Sequence, residues 1–306
     1  MLSTINNTTE EYRLEIMRQM ISGKKSENGS PLMPVLTTPN GKMSLQVYAK
    51  TNEDLSFISR LNPKDTECLT VGSSLDQLLT LIMEGARTAD LFDLNFFARD
   101  FFELKKQAIL HLPYASAKGF LTYHSENKYF LHPFLFGRIK KYLSPFEEKF
   151  WSEVISSPNK MDFFRSDGAS LGFAPYLQSK TNFERLKSNL DGFHPTFFDL
   201  PFSKVSAIKK NYDIVLLSNI NEWYKNQNDF INDLEKSRSL LTSNGIIQAG
   251  YVWGNPIGQR TYEALKNAYD KHIYWKRNSS KGSAIILEPF EGSAVKPTSQ
   301  DEGENT

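Results

Sequence analysis

From position 68 onward the chain alternates short apolar runs with segments of helical period. The runs are CLTV (68–71), ADLFDL (89–94), HPTFFDL (194–200), DIVLLSNI (213–220), IIQAGYVW (246–253), HIYWK (272–276) and SAIILEP (283–289). Between them, apolar residues recur three and four apart over 76–83, 96–110, 182–190, 229–241 and 259–269, which predicts helices there. Strands alternating with helices are the signature of a parallel sheet with helices on its faces. The first 60 residues read differently. An amphipathic helix is expected over 10–21, followed by a polar loop, SGKKSENGSP. The expected organisation is therefore a helical extension over 1–60, an α/β domain over 61–289, and a small, polar, acidic tail over 290–306, expected to be disordered.

One interval breaks the rhythm. About 80 residues separate the helix ending near His111 from the strand near His194, far more than a crossover connection needs. The block is rich in aromatic and basic residues, as in YHSENKYFLHPFLFGRIKKYLSPFEEKFW. It reads as a mostly helical insertion over about 112–180, a natural place for a lid or an acceptor site.

Composition narrows the partners. Lys plus Arg number 36 against 35 Asp plus Glu, a net charge of +1, which gives no support for a general nucleic-acid binder or a basic membrane-surface protein. The single cysteine, Cys68, excludes an intramolecular disulfide and fits a reducing compartment. The start, MLSTINNTTEEYRLEIM, lacks the basic end and apolar core of a signal peptide, and no run of about 18 apolar residues occurs. A soluble, cytoplasmic protein that does not engage a membrane is expected. His111, His124, His132, His194 and His272 lack metal-ligand spacing, so no metal is expected.

The candidate chemistry lies where strands end. In open α/β sheets, ligands bind at the carboxyl ends of the strands, where the order reverses; the first loop offers backbone N–H groups and the second strand ends in an acid that grips a ribose. Gly72 follows the first run and Asp93 ends the second, 21 residues later, close to the expected spacing of about 20. Gly72 permits close backbone approach, Ser73 and Ser74 offer hydroxyls, and Asp76 with Gln77 opens the next helix. The loop lacks the full Gly-x-Gly-x-x-Gly pattern. It also puts Asp76 where a pyrophosphate would sit, which favours a positively charged ligand. S-adenosylmethionine, with its adenosine, sulfonium and amino-acid end, fits as co-substrate. Asp76 reads equally as a helix cap or as the holder of the methionine ammonium. Asn95, Asp199 (for the adenine), Ser218 and Asn219 complete the candidate cofactor set.

The run DLFDLNFFARDFFELKKQAI (90–109) resembles the Asp-Leu-Asn…Leu-Glu-Leu-Lys…Ala-Ile segment of the S-adenosylmethionine-dependent 3-amino-3-carboxypropyl transferases, the family that includes the betaine-lipid synthesis enzyme. TVGSSLDQLLTLIMEGA (70–86) and YDIVLLSNINEWY (212–224) are similar to their neighbours in the class I methyltransferase-like fold, so the resemblance spans 68–253. The chain also resembles the transferases that tailor microcin C. The resemblance implies an α/β, Rossmann-type, parallel-rich sheet with helices on both faces. It further implies transfer to a small, phosphate-bearing acceptor such as a peptidyl-nucleotide antibiotic precursor, with release of methylthioadenosine and a possible partner enzyme of the same pathway. A lipid acceptor is less attractive, since no basic amphipathic helix or apolar anchor is evident.

Because the sulfonium charge is annihilated on transfer, orientation and desolvation matter more than a strong acid, and no catalytic residue is assigned. An anionic acceptor needs basic residues: Arg138, Lys140, Lys141, Arg165 and Arg260 are candidates, each also readable as a solvated charge. Tyr129, Tyr176, Tyr251 and Trp253 could line the acceptor pocket. Glu103 and Lys105 read as an exposed helical face or sheet-packing contacts, and Cys68 as a buried hydrophobe. Ordinary methyl transfer, and a non-catalytic S-adenosylmethionine binder, remain alternatives that fold alone does not separate.

Overall fold

A computed structural model describes residues 9–25, 27, 33–38, 41–123, 127–165, 174–250, 273–277 and 283–287. In the N-terminal third, α1 (Glu10–Met20) precedes β1 (Val35–Thr38), β2 (Gly41–Ser44) and β3 (Val47–Tyr48). The alternating region then begins with β4 (Glu67–Val71), α2 (Asp76–Met83), β5 (Thr88–Phe92) and α3 (Phe97–His111). The insertion carries α4 (Tyr114–Leu121), α5 (Pro133–Ile139), α6 (Pro145–Ser156) and β6 (Phe164–Arg165). After it come α7 (Lys180–Leu190), β7 (Phe197–Phe198), β8 (Tyr212–Leu216), α8 (Gln227–Ser237), β9 (Leu241–Gly250), β10 (Ile273–Arg277) and β11 (Ser283–Leu287).

Seven strands form one sheet in the order β10-β11-β9-β8-β4-β5-β7. The pairs β7–β5, β5–β4, β4–β8 and β8–β9 are parallel, whereas β11 runs antiparallel to both of its neighbours. Counted within this sheet alone, the order reads 3-2-1-4-5-7-6. The chain starts in the middle, winds to one edge, and returns to wind the other way, so the reversal point falls between β4 and β8. That order with an antiparallel seventh strand is the class I methyltransferase-like form of the Rossmann-type sheet.

The strands are apolar on consecutive positions because both faces are covered. Cys68, Leu91 and Ile214 join a core with α2, α3 and α7, while their neighbours Leu69, Phe92 and Val215 face Phe202, Val205, Phe230 and Leu234 on the other side. The expected strand over 194–200 is reduced to two residues, because Pro195 and Pro201 cannot donate to a ladder. The helix expected over 229–241 stops at Ser237, and Leu241 already belongs to β9. The expected helix over 259–269 and tail over 290–306 lie outside the described residues.

The described part of the insertion is mostly helical, and many of its aromatics are core, though Tyr129, Phe134 and Tyr142 are exposed. Phe97 and Phe101 of α3 meet Phe150, Trp151, Phe163 and Phe164 in tilted and edge-on contacts, and the Trp151 indole donates to the Asp100 carbonyl at 3.0 Å. The N-terminal third is more than a helical preamble. β3 pairs in parallel with β6, Val47 opposite Phe164 and Tyr48 opposite Arg165, so the first segment and the end of the insertion form one wall above the sheet.

A candidate cofactor cleft at the carboxyl ends of the strands

A cleft opens above the ends of β4, β5 and β8, at the reversal point. Its floor is Val71, Ser73, Phe92 and Asp93, and one side is Leu200–Ser203 with Leu217–Ile220. Gln46, Tyr48 and Arg165 stand opposite, on the wall built by β3 and β6.

The loop after β4 is tightly wound. Ser73 (φ 38°) and Leu75 (φ 68°) both adopt left-handed backbone, which disfavours residues with a Cβ and persists only where surroundings enforce it. Asp93 is one enforcer: its Oδ2 accepts from Ser73 N–H at 2.8 Å and its Oδ1 from Asn95 N–H at 2.8 Å. A Cβ on Gly72 would lie 2.8 Å from Asp93 Oδ2 and 3.0 Å from Ala98 Cβ. Gly72 is thus required so that Asp93 can close over the loop, rather than to admit a ligand directly. Burial pushes the Asp93 carboxyl up to about 6, against the pull of the Asn95, Ser73 and Leu94 N–H groups. A carboxylate has about four acceptor positions, so both oxygens retain capacity for a ligand's paired hydroxyls. Asn95 joins floor to wall, its amide donating to the carbonyls of Leu45 and Gln46 at 3.0 and 3.1 Å.

Of the candidate cofactor residues, the fold brings Ser73, Asp93, Asn95, Ser218 and Asn219 to the cleft surface, with Gly72 beneath. The others turn away. Asp76 is buried, its Oδ1 receiving Lys105 Nζ at 2.7 Å and the Tyr176 hydroxyl at 2.6 Å, and its Oδ2 receiving Thr51 N–H at 2.7 Å and the Ser74 hydroxyl at 3.1 Å. Lys105 also donates to the Ser74 carbonyl at 2.8 Å. Three readings are corrected by this cluster. Asp76 is committed to an internal cation and neither caps α2 nor faces a ligand; Tyr176 is no pocket aromatic; Lys105 is wholly buried rather than on an exposed face. The reason is desolvation: a buried carboxylate and a buried ammonium each cost several kcal/mol alone, roughly, and so are found together. Gln77 likewise points inward, accepting from Thr70 and donating to Glu53, each at 2.7 Å. Asp199 lies off the cleft lining, 3.5 Å from Arg99 of α3.

The acceptor candidates separate as sharply. Tyr129 is 63% exposed, and Arg138 and Lys141 sit on the outer surface of the insertion, away from the cleft. Tyr251, Trp253 and Arg260 lie outside the described residues. Arg165 alone of the described candidates lines the cleft, its guanidinium 5.3 Å from the Tyr48 ring and 5.5 Å from the Trp223 ring. Sequence reasoning missed Tyr48 and Trp223, which line the cleft, and the buried acid Glu53. Glu53 stands in the polar run TNED, which carries no pattern that separates a buried acid from a loop residue. Among the described residues no group of three potential metal ligands occurs, and no helix is long and apolar enough to cross a membrane.

No protein-family model matches the chain, and no curated protein matches it in sequence. Solved structures do resemble it in outline. A ribosomal protein L11 methylase from Lactobacillus delbrueckii subsp. bulgaricus is 9% identical with a TM-score of 0.35, covering 77% of this chain and 76% of its own. The rRNA methyltransferase aviRa from Streptomyces viridochromogenes is 12% identical with a TM-score of 0.38, covering 74% and 77%. The N-methyltransferase NodS from Bradyrhizobium japonicum WM9, in complex with S-adenosyl-L-homocysteine, is 8% identical with a TM-score of 0.35, covering 76% and 81%. The fold assignment rests on the strand order itself.

Proposed function

We propose that the protein is an S-adenosylmethionine-dependent alkyl transferase, and that it moves the 3-amino-3-carboxypropyl group to a small anionic acceptor of the peptidyl-nucleotide type, releasing methylthioadenosine. The observation that carries the S-adenosylmethionine reading is Asp93: a carboxylate at the end of the sheet's second strand, on the cleft floor, locked to the left-handed loop after the first. Dinucleotides fit less well. The first turn of α2 begins with Asp76, already engaged by Lys105, so that helix end is not open to a pyrophosphate.

S-adenosylmethionine supplies a sulfonium whose carbon substituents are electrophilic and whose departure leaves a neutral thioether. The chain's part is to orient and to exclude water: Asp93 for paired hydroxyls, Leu200, Pro201 and Phe202 as an apolar side, and the wall of Tyr48 and Arg165 as cover. Arg165 supports an anionic acceptor, because its planar fork suits phosphate or carboxylate oxygens. The choice of aminocarboxypropyl over methyl transfer rests on the resemblance of 90–109 to the aminocarboxypropyl transferases. Methyl transfer is the second reading, since the strand order is equally that of methyltransferases. Incubation with S-adenosylmethionine and a peptidyl-nucleotide, with mass spectrometry of the released nucleoside, separates them. Methylthioadenosine supports the first reading, S-adenosylhomocysteine the second, and binding without turnover leaves a non-catalytic binder.

A further inference from the structure

Across the reversal point stands a second buried carboxylate, and its surroundings differ from those of Asp76. Glu53, in the connection between β3 and β4, is 5% exposed. Its Oε2 accepts from Gln77, at the start of α2 just beyond β4, at 2.7 Å. Ser218, which follows β8 and lines the cleft, stands beside the carboxyl and favours its ionised form. A Cβ on Gly250, at the end of β9, would come within 2.7 Å of Glu53 Oε1, so the absent side chain there is what lets this oxygen stand where it does. The carboxyl therefore lies behind Ser218, beside the ends of β4, β8 and β9 and next to the crevice in which sheets of this kind take their ligands.

Its donor Gln77 and its neighbour Ser218 are both neutral. Among the described residues no Lys, Arg or His stands within ion-pair distance of it, whereas Asp76 has Lys105 at 2.7 Å. Burial raises the Glu53 carboxyl to about 7, and Glu222 nearby pushes it the same way. A buried acid beside neutral side chains, next to a ligand crevice, is complementary to a cation that arrives with the ligand.

We infer that Glu53 binds a primary ammonium group of the cleft's ligand, the α-ammonium at the amino-acid end of S-adenosylmethionine, with Gln77 and Ser218 orienting the carboxylate. This rests on the S-adenosylmethionine reading and adds the residue that fixes the amino-acid end relative to the nucleoside end at Asp93. It also takes over the role that the sequence suggested for Asp76.

The test is calorimetric titration of the full chain and of Glu53→Gln and Glu53→Asp with three ligands. S-adenosylmethionine carries ammonium and sulfonium, S-adenosylhomocysteine carries ammonium alone, and methylthioadenosine carries neither. Glu53→Gln is expected to weaken the first two at least tenfold and to leave methylthioadenosine within twofold; Glu53→Asp, which keeps the charge but retracts it, should fall between. Equal weakening of all three ligands, weakening of S-adenosylmethionine alone, or no weakening in either variant overturns the assignment while the cofactor reading stands. If the unaltered chain binds none of the three, the cofactor reading itself is overturned, and the assignment with it.

Discussion

Asp76 and Glu53 are nearly adjacent in space: Thr51 donates its N–H to Asp76 and accepts at its hydroxyl from the N–H of Glu53, while Gln77, next to Asp76, holds the Glu53 carboxyl. Both acids are buried, yet among the described residues one has an ammonium and a phenol against it and the other has only neutral side chains such as Gln77. Burial alone does not mark a functional acid. On the inference drawn above, what marks it is a charge that no cationic side chain among the described residues complements. A third case sits under α1, where Asp100 of α3 and Glu147 of α6 face each other beside Arg13, 3.5 Å from Asp100. Burial raises both of these carboxyls; Asp100 raises Glu147 further, whereas Arg13 and Glu147 lower Asp100, so Glu147 is the member that keeps its proton beside the Arg13–Asp100 ion pair.

The sharpest way to break this contrast is at Lys105. Lys105→Met leaves Asp76 buried without its cation and is expected to cost about 3 to 5 kcal/mol of stability in urea unfolding; a cost under about 1 kcal/mol would mean that the pair does not lock the loop. Next comes Asp93→Ala, which should weaken S-adenosylmethionine binding by roughly 1.5 to 3 kcal/mol, the scale of a hydrogen bond to a charged group. Unchanged affinity in a folded variant would remove Asp93 from the ribose site.

The pH dependence sharpens the comparison further. Glu53 (about 7) and Asp93 (about 6) both titrate above ordinary carboxyls, so the folded chain holds protons that the unfolded chain has lost. Their contribution to stability is complete below about pH 4 and is lost as pH rises through 6 and 7. Ligand binding through an ionised Glu53 should run the opposite way, tightening as pH rises through 7, and Glu53→Gln should flatten that rise in titrations from pH 5.5 to 8.5. A slope that survives in the variant would assign the proton elsewhere. Glu147→Gln, by contrast, replaces an acid that Asp100 already keeps protonated, and melting at pH 7 should reveal a change within about 1 kcal/mol. The smallest effect is expected at Arg138→Ala and Lys141→Ala. These exposed positions lie off the cleft, and substitution should shift stability by less than about 0.5 kcal/mol and leave S-adenosylmethionine affinity unchanged.

Much of the sheet was legible because covered strands must be apolar on both faces. The runs at 68–71 and 89–94 coincide closely with β4 and β5, and α2 falls on 76–83 as its period requires. The acid after the second strand could be located by spacing alone, since the length of one βα unit fixes where Asp93 emerges. The partners of Asp76 were not legible: Thr51, Lys105 and Tyr176 come from three distant segments, and their convergence is a property of the packed chain. Lys105 in particular could be read from the sequence as an exposed charge or as a sheet-packing contact, and only the packed chain shows it buried against Asp76.

The sequence by itself determined the alternation of strands and helices, the loop at Gly72 and the acid at Asp93, because these follow from local periodicity and the reach of a short chain segment. The tertiary structure decided that Asp76 meets the ammonium of Lys105 while Glu53, among the described residues, meets no cationic side chain. It also decided that β3, ahead of the α/β region, and the end of the insertion would join as one wall over the cleft, through the pairing of β3 with β6. Charge pairing and burial depend on distances between residues far apart in the chain, and no local pattern encodes them.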